Sequence, residues 1–395
     1  MSSLNHGWKM VKFGDIVQNV AVRVNPADAK TDVYVGLEHL DPGTIHLRQW
    51  GHPSDVTGQK LAFKKGDVIF GRRRAYQRKL AVAEFDGICS AHALVVRAKP
   101  KMILQELLPF FLKSEMFMMR AIEISVGSLS PTINWTTLKD QEFPLPPIEE
   151  QKRIAEILWA ADEALENWKV VLGQQIDFRN TSLQEFYSCD IVSNTAENNE
   201  KNDSICKIYE VAEVYSGGTP SRKNTFFWDG GRIPWIKTGE VNYYDINDTE
   251  EKITPLAVTK SAAKMVPKNT ALVAMYGQGP TRGRAGFTVI DAAINQACAA
   301  IVSKKDKLRS RYVYYYLLKE YKNIRALAHG AAQANINVGM IKGFSIPVPS
   351  LQKQDEILVL IGEINIRIEE IKHHIKCLQN VKHELGDILM GSLYD

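Results

Sequence analysis

Two segments concentrate side chains able to grip a polyanion and read the edges of bases. DVIFGRRRAYQRKLAVAEF places Arg72, Arg73, Arg74, Arg78 and Lys79 around Tyr76 and Gln77, and ALVAMYGQGPTRGRAGF places Tyr276, Gln278, Thr281, Arg282 and Arg284 among glycines. Arginine pairs bidentately with guanine edges, glutamine with adenine, and lysine or threonine with phosphate. A basic, glycine-punctuated loop leaving a strand can therefore enter a major groove. A solvated turn between two strands has the same composition, but recurrence at equivalent positions argues against chance. Lys237, with Trp235 and Thr238 in PWIKTGEV, and Glu38 and His39 in YVGLEHL form a second recurring element, a strand whose end can face the same partner. Trp235 and Val35 themselves read as core residues.

Other chemistry finds little support. GQGPTRGRAG (277 to 286) lacks the spacing and the Gly-Lys-Ser/Thr ending of a phosphate loop. The one Pro-Pro lies in PLPPIEEQ, not in the Asn- or Asp-Pro-Pro-aromatic motif of an amine methyltransferase. His46, His52 and His92 have no neighbours at metal-ligand spacing, and His373, His374 and His383 fall on a helical stretch as solvated residues. The five cysteines form no CxxC pair, which suits a reduced chain without structural zinc. No nucleophile elbow is present, so the chain is expected to be non-catalytic by itself, with no metal site.

These loops need a scaffold, and the chain supplies it twice. Gly127 and Gly330, Ile133 and Ile336, Asn134 and Asn337, Pro144 and Pro347, Pro146 and Pro349, and Gln151 and Gln354 are each separated by 203 positions. GDVIFG and NTALVA share that offset, and YVGLEHL matches WIKTGEV at a nearby one. A tandem duplication follows. Asn134 and Asn337 read as turn or capping residues rather than base readers. Each copy runs through a strand-rich region, a helical stretch (102 to 122 or 309 to 328), proline-marked extended connectors and a long helix.

In the first long helix Ile154, Leu158, Ala161, Leu165, Trp168 and Leu172 alternate spacings of four and three, the pattern of a coiled-coil seam. The second supplies Ile357, Ile361, Ile364, Ile368, Ile371, Ile375, Leu378, Leu385 and Leu389, interrupted where Lys382 takes a seam position. Pairing of the two arms is expected, and packing of each stripe on its own globule is the alternative. If the arms pack antiparallel, an arm of about 40 residues spans roughly 60 Å between two globules. The predicted boundaries are a first recognition domain at 1–147, a helical arm at 148–187, a flexible linker at 188–204, a second domain at 205–350 and a C-terminal arm at 351–395.

The 395 residues suit about two domains, and 45% hydrophobic with 24% charged residues suits a folded, soluble chain. A net charge of +4 permits a polyanion partner without demanding one. The N-terminus has no signal-peptide core, and the longest apolar run, Tyr312 to Leu318, is far too short to span a bilayer. A cytoplasmic protein with no membrane contact is expected.

YVGLEHLDPG, YSGGTPS followed by PWIKTGEV, KKGDVIFG, PLPPIEEQKRIAEIL and PVPSLQKQDEILVLI, in this order and in a two-copy layout, resemble the specificity subunits of type I restriction-modification systems. The resemblance implies an α+β chain with two tandem α/β target recognition domains, separated by two long helices that form an antiparallel coiled coil. It also implies a reader of double-stranded DNA that recruits two methyltransferase and two translocating nuclease subunits. S-adenosylmethionine, ATP and magnesium would act in those partners and none would bind this chain. The first copy lacks a counterpart of GGTPS and is richer in arginine, so an asymmetric bipartite target is expected. Two rivals stay open: a related system with one fused methyltransferase-nuclease partner, and a coiled-coil scaffold that ignores DNA. A free-standing nuclease lacks a recognisable acidic metal cluster.

Overall fold

The computed structural model describes residues 7–187, 204–277, 279–328 and 335–391. The predicted linker at 188–204 and the repeat partner Gly330 therefore lie outside the described residues, Ser204 excepted. The chain divides into two compact units, Met1–Val170 with His373–Asp395, and Val171–Lys372. Both divisions fall inside the long helices, the central one at Ile148–Phe186 and the C-terminal one at Leu351–Leu389. Their starts are again 203 positions apart.

In the first unit strands β2 (Val17–Asn19), β9 (Ala93–Ala98), β6 (Val68–Gly71) and β7 (Leu80–Val82) form one sheet in that order. Strands β3 (Arg23–Val24), β5 (Lys60–Phe63), β8 (Gly87–Cys89) and β4 (Tyr34–Val35) form another. The second unit repeats the first sheet as β12 (Ala212–Ser216), β20 (Cys298–Ser303), β17 (Thr270–Ala274) and β18 (Ala285–Thr288), with β14 (Asp245–Ile246) added at the edge. Its other sheet contains β13 (Ile233–Ile236) and β19 (Ala292–Ile294), paired in parallel as β4 and β8 are.

The central strands are apolar on both faces because each separates two cores. Val68 and Phe70 enter one cluster and Ile69 the other, while Ala271 and Val273 oppose Leu272 and Ala274 in the same way. The predicted helical stretches each break in two, at Ser114 between Leu108–Lys113 and Glu115–Glu123, and at Glu320 between Ser310–Lys319 and Tyr321–Ala326.

The proline-marked segments depart from the expected plain connectors. Pro144 pairs with Met10 and Pro347 with Ile205 in two-stranded antiparallel ladders that tie the start of each repeat to its end. A two-stranded ladder leaves an open edge on each strand, where a residue without an N–H is tolerated. After each ladder a buried glutamine fastens the long helix. Gln151 donates to the carbonyls of Pro146 (2.9 Å) and Met102 (3.1 Å) and accepts from the Leu104 N–H (2.9 Å). Gln354 repeats this with Pro349 (2.8 Å), Lys307 (2.9 Å) and the Arg309 N–H (2.8 Å). The Pro-to-Gln signature of the repeat is this shared lock.

Along the predicted seam Ile154, Leu158, Leu165, Ile357, Ile361, Ile368, Ile371 and Ile375 are buried, whereas Trp168, Leu172, Ile364 and Leu378 are half-buried. Residues of both stripes enter the globular cores. Ile154 and Leu158 belong to the first unit's core, against which Leu385 and Leu389 of the C-terminal helix also pack. Ile357 and Ile361 share the second unit's core with Leu183. Within the first unit Asp162 meets Lys382 and Trp168 meets His374, so the two helical segments run antiparallel. The interruption at Lys382 has a physical reason: its ammonium pairs with Asp162, whose side chain is 2% exposed. His46 closes the network, with Nε2 2.6 Å from Asp162 and Nδ1 2.9 Å from Glu84. Burial alone would raise the Asp162 carboxyl, but hydrogen bonds from His46 and Lys382 outweigh it and hold the group below its ordinary range. The Asp162 hydrogen bond raises His46 against the opposing effect of burial.

Candidate nucleic-acid interface

The arginine-rich segment is the connection of the β6–β7 hairpin, closed where the Gly71 N–H donates to the Lys79 carbonyl at 2.8 Å. Its middle is a short turn, Ala75–Gln77, flanked by Arg74 (φ 56°) and Arg78 (φ 52°), both left-handed. Non-glycine residues enter that region at a cost and stay there only where surrounding contacts fix them. Arg78 is fixed by a fork-to-fork pair with Glu115, Nη2 lying 2.7 Å from Oε1, and the Glu115 N–H donates to Asp387 at 3.1 Å. Arg74 is fixed through its backbone, donating to Pro131 at 2.7 Å. Beside it the Ile133 N–H donates to the Arg72 carbonyl at 2.9 Å.

Arg72 reaches the Ala91 carbonyl at 3.3 Å, Arg73 the Ser130 hydroxyl at 2.9 Å and Lys79 the Leu37 carbonyl at 2.9 Å. Arg74 and Tyr76 are exposed. Together Arg73, Arg74, Gln77, Lys79, Glu38 and His92 line an open concavity of about 520 Å³. A neighbouring hollow of about 260 Å³ is lined by Asn19, Arg23, Lys60 and Arg72. Asn19 Oδ1 and Arg72 Nε are buried there without a hydrogen-bond partner among the described residues. His92 registers the local field: burial first, then Arg73, Arg72 and Lys60, push it below the ordinary histidine range.

The matching segment of the second unit leaves β17 in the same way. Ala274 and Arg284 close the hairpin at 2.9 Å, and the Ile336 N–H donates to the Met275 carbonyl at 3.2 Å as Ile133 does to Arg72. Buried Ile133 and Ile336 thus explain the repeated Ile-Asn pair. Asn337 caps the following helical turn through the Met340 N–H at 3.0 Å, whereas Asn134 starts its turn without a side-chain cap. Gly277, Gly279 and Gly283 take positive φ, which lets the chain reverse within a few residues. Tyr321 and Arg325 brace the loop by donating to the Pro280 (2.8 Å) and Gly279 (2.6 Å) carbonyls. Arg284 donates to Asn242 at 2.7 Å and lies over the Tyr243 ring. Thr281 and Arg282 are half-buried on the loop, and Gln278 lies outside the described residues. Tyr276, Tyr243 and Tyr244 are exposed by 39%, 42% and 49%, so this surface is aromatic where the first is cationic.

Two predicted residues are held internally. Arg78 is paired with Glu115, and Lys237 sits 2.9 Å from Glu250 and 2.7 Å from Glu251. In exchange the fold adds Lys60, His92, Asn242, Tyr243 and Tyr244, which come from distant segments and carried no spacing signal. The GGTP run is explained by contact: a Cβ at Gly217 would collide with the Ile294 carbonyl and one at Gly218 would lie 2.5 Å from Ala262. Trp235 Nε1 donates to the Gly218 carbonyl at 3.2 Å beneath them.

A family profile described as the type I restriction modification DNA specificity domain matches residues 5–170 and 200–376. The chain belongs to this family. It is 22% identical to the putative type I restriction enzyme MjaX specificity subunit of Methanocaldococcus jannaschii, over 97% of this chain and 92% of that one. It is 26% identical to the EcoR124I/EcoR124II specificity subunit of Escherichia coli over 40% of this chain and 39% of that protein. Among solved structures, a chain from work on complex assembly and conformational transition of the type I R-M system superposes with a TM-score of 0.66 at 19% identity, covering 99% and 98% of the two chains. The HsdS subunit from Thermoanaerobacter tengcongensis gives 0.51 at 19% identity, covering 98% and 97%. At these identities the structural likeness shows the fold alone. Among the described residues no helix is long and apolar enough to cross a membrane, and no group of three or more His, Cys, Asp or Glu side chains could hold a metal ion.

Proposed function

We propose that this chain reads an asymmetric, bipartite duplex target, one half-site per repeat, and holds partner enzymes on it without catalysing a reaction itself. One observation carries the reading: two loops occupy the same place in matched folds, strapped by the same isoleucine N–H, yet one presents arginines and the other tyrosines with glycines. Equal scaffolds with unequal reading surfaces suit two different half-sites. In the first domain Arg72, Arg73, Arg74, Tyr76 and Lys79 are the contacts, and in the second Tyr276, Gln278, Thr281, Arg282 and Arg284. Arg78 and Lys237 act in this reading as supports.

The recognition domains at 1–147 and 205–350 are joined through the two helical arms, which pair as an antiparallel coiled coil. The partners are two methyltransferase subunits and two translocating nuclease subunits, to which S-adenosylmethionine, ATP and magnesium belong. Such a reader works in the cytoplasm, where the DNA is met.

The test is genome-wide adenine methylation in cells carrying this chain with its methyltransferase, against cells lacking only this chain. Loss at one gapped motif supports the reading, and an unchanged pattern refutes it. Arg74→Ala should then alter the first half-site and Arg284→Ala the second. Equal loss on every sequence would make them phosphate contacts.

A further inference from the structure

We infer that Glu38 selects one base pair of the first half-site by accepting a hydrogen bond from an exocyclic amine, cytosine N4 or adenine N6. The inference rests on the DNA reading above and names the chemistry of one position within it.

Glu38 lines the concavity of about 520 Å³ beside Arg73, Arg74, Lys79 and His92. It is exposed on the turn Leu37–His39, and among the described residues it has no hydrogen bond or ion pair. The nearby cations are directed elsewhere, Lys79 to the Leu37 carbonyl and Arg73 to Ser130. The turn is set by a local bond, the Gly36 N–H donating to His39 Nδ1 at 3.1 Å, and the Glu38 carboxylate lies against Gly36. An ionised carboxylate only accepts. It is repelled by a phosphate and by guanine N7 and O6 or thymine O4, which are acceptors, and is satisfied by an amine of cytosine or adenine. The cations lining the same concavity, Arg73, Arg74 and Lys79, offset the charge that Glu38 brings to the groove. At the matching position the second domain has Gly239, with open space around it, so this selector belongs to one half-site alone.

The experiment is selection from a randomised duplex library by the full chain with its methyltransferase partners, using wild type, Glu38→Ala and Glu38→Gln. The alanine variant should lose about 5- to 150-fold of preference at a single base pair. The glutamine variant should move that position toward adenine, whose edge offers both a donor and an acceptor. The second half-site should stay unchanged in both variants, which reports that they fold. Removing the amine from the chosen base, with purine in place of adenine or pyrimidin-2-one in place of cytosine, should reproduce the alanine loss and tells which amine is read. An unchanged motif, or tighter binding of every sequence by the alanine variant, overturns the inference and leaves the DNA reading standing. A wild-type complex that selects no motif overturns both.

Discussion

Asp162→Asn tests the network that ties the first domain to its helices. Asp162 accepts from Lys382 and lies 2.6 Å from His46 Nε2, with its own side chain 2% exposed. Removing one member of a fully buried ion pair costs about 3–5 kcal/mol. Here the His46 and Lys382 side chains keep 19% and 16% exposure, and asparagine can still accept one hydrogen bond. A loss of about 2–3 kcal/mol follows. Its pH dependence has a definite sign. His46 is raised in the folded state, so its contribution is full below its ordinary value of 6.5 and disappears as pH rises through the folded one. Asp162 is lowered from 3.8, so its contribution holds above that value and is lost on acidification. The wild-type advantage should therefore be larger at about pH 5.5 than at about pH 9. Urea unfolding, followed by hydrogen exchange of the amides between Leu158 and Lys169, measures it in the unit concerned. A loss under about 0.5 kcal/mol, or one equal at both pH values, would refute the account.

Gln151→Leu and Gln354→Leu each strand one buried and two part-buried backbone partners and should cost about 1–3 kcal/mol, measured as lost exchange protection in the unit that holds the glutamine. Gly217→Ala forces a methyl group into the Ile294 carbonyl, so methylation mapping should show the second half-site lost while the first unit keeps its exchange protection. Native thiol labelling near pH 8 should modify Cys206 and Cys377 within minutes and spare Cys89 and Cys298. Burial pushes the Cys89 thiol up to about 12 and raises Cys298 further still; mass spectrometry of the labelled peptides reads the result.

Much of the architecture was legible because it is written locally and twice. The 203-residue offset, the proline-to-glutamine signature and the four-three spacing of Ile154, Leu158 and Leu165 all depend on neighbours along one element, and the structure returns them as paired ladders, paired glutamine locks and buried seam residues. The composition and place of the two loops came from the sequence in the same way. Which of their charges are free did not. Arg78 and Lys237 carry the same chemistry as Arg74, but their carboxylates, Glu115 and Glu250, come from other elements. His46 and Asp162 are 116 positions apart and sit on no shared period, so only folding could pair them. Period and composition therefore fixed the scaffold, whereas the availability of each charged group was decided by tertiary contacts, because electrostatic pairing acts through space at a few ångströms and leaves no mark on sequence spacing.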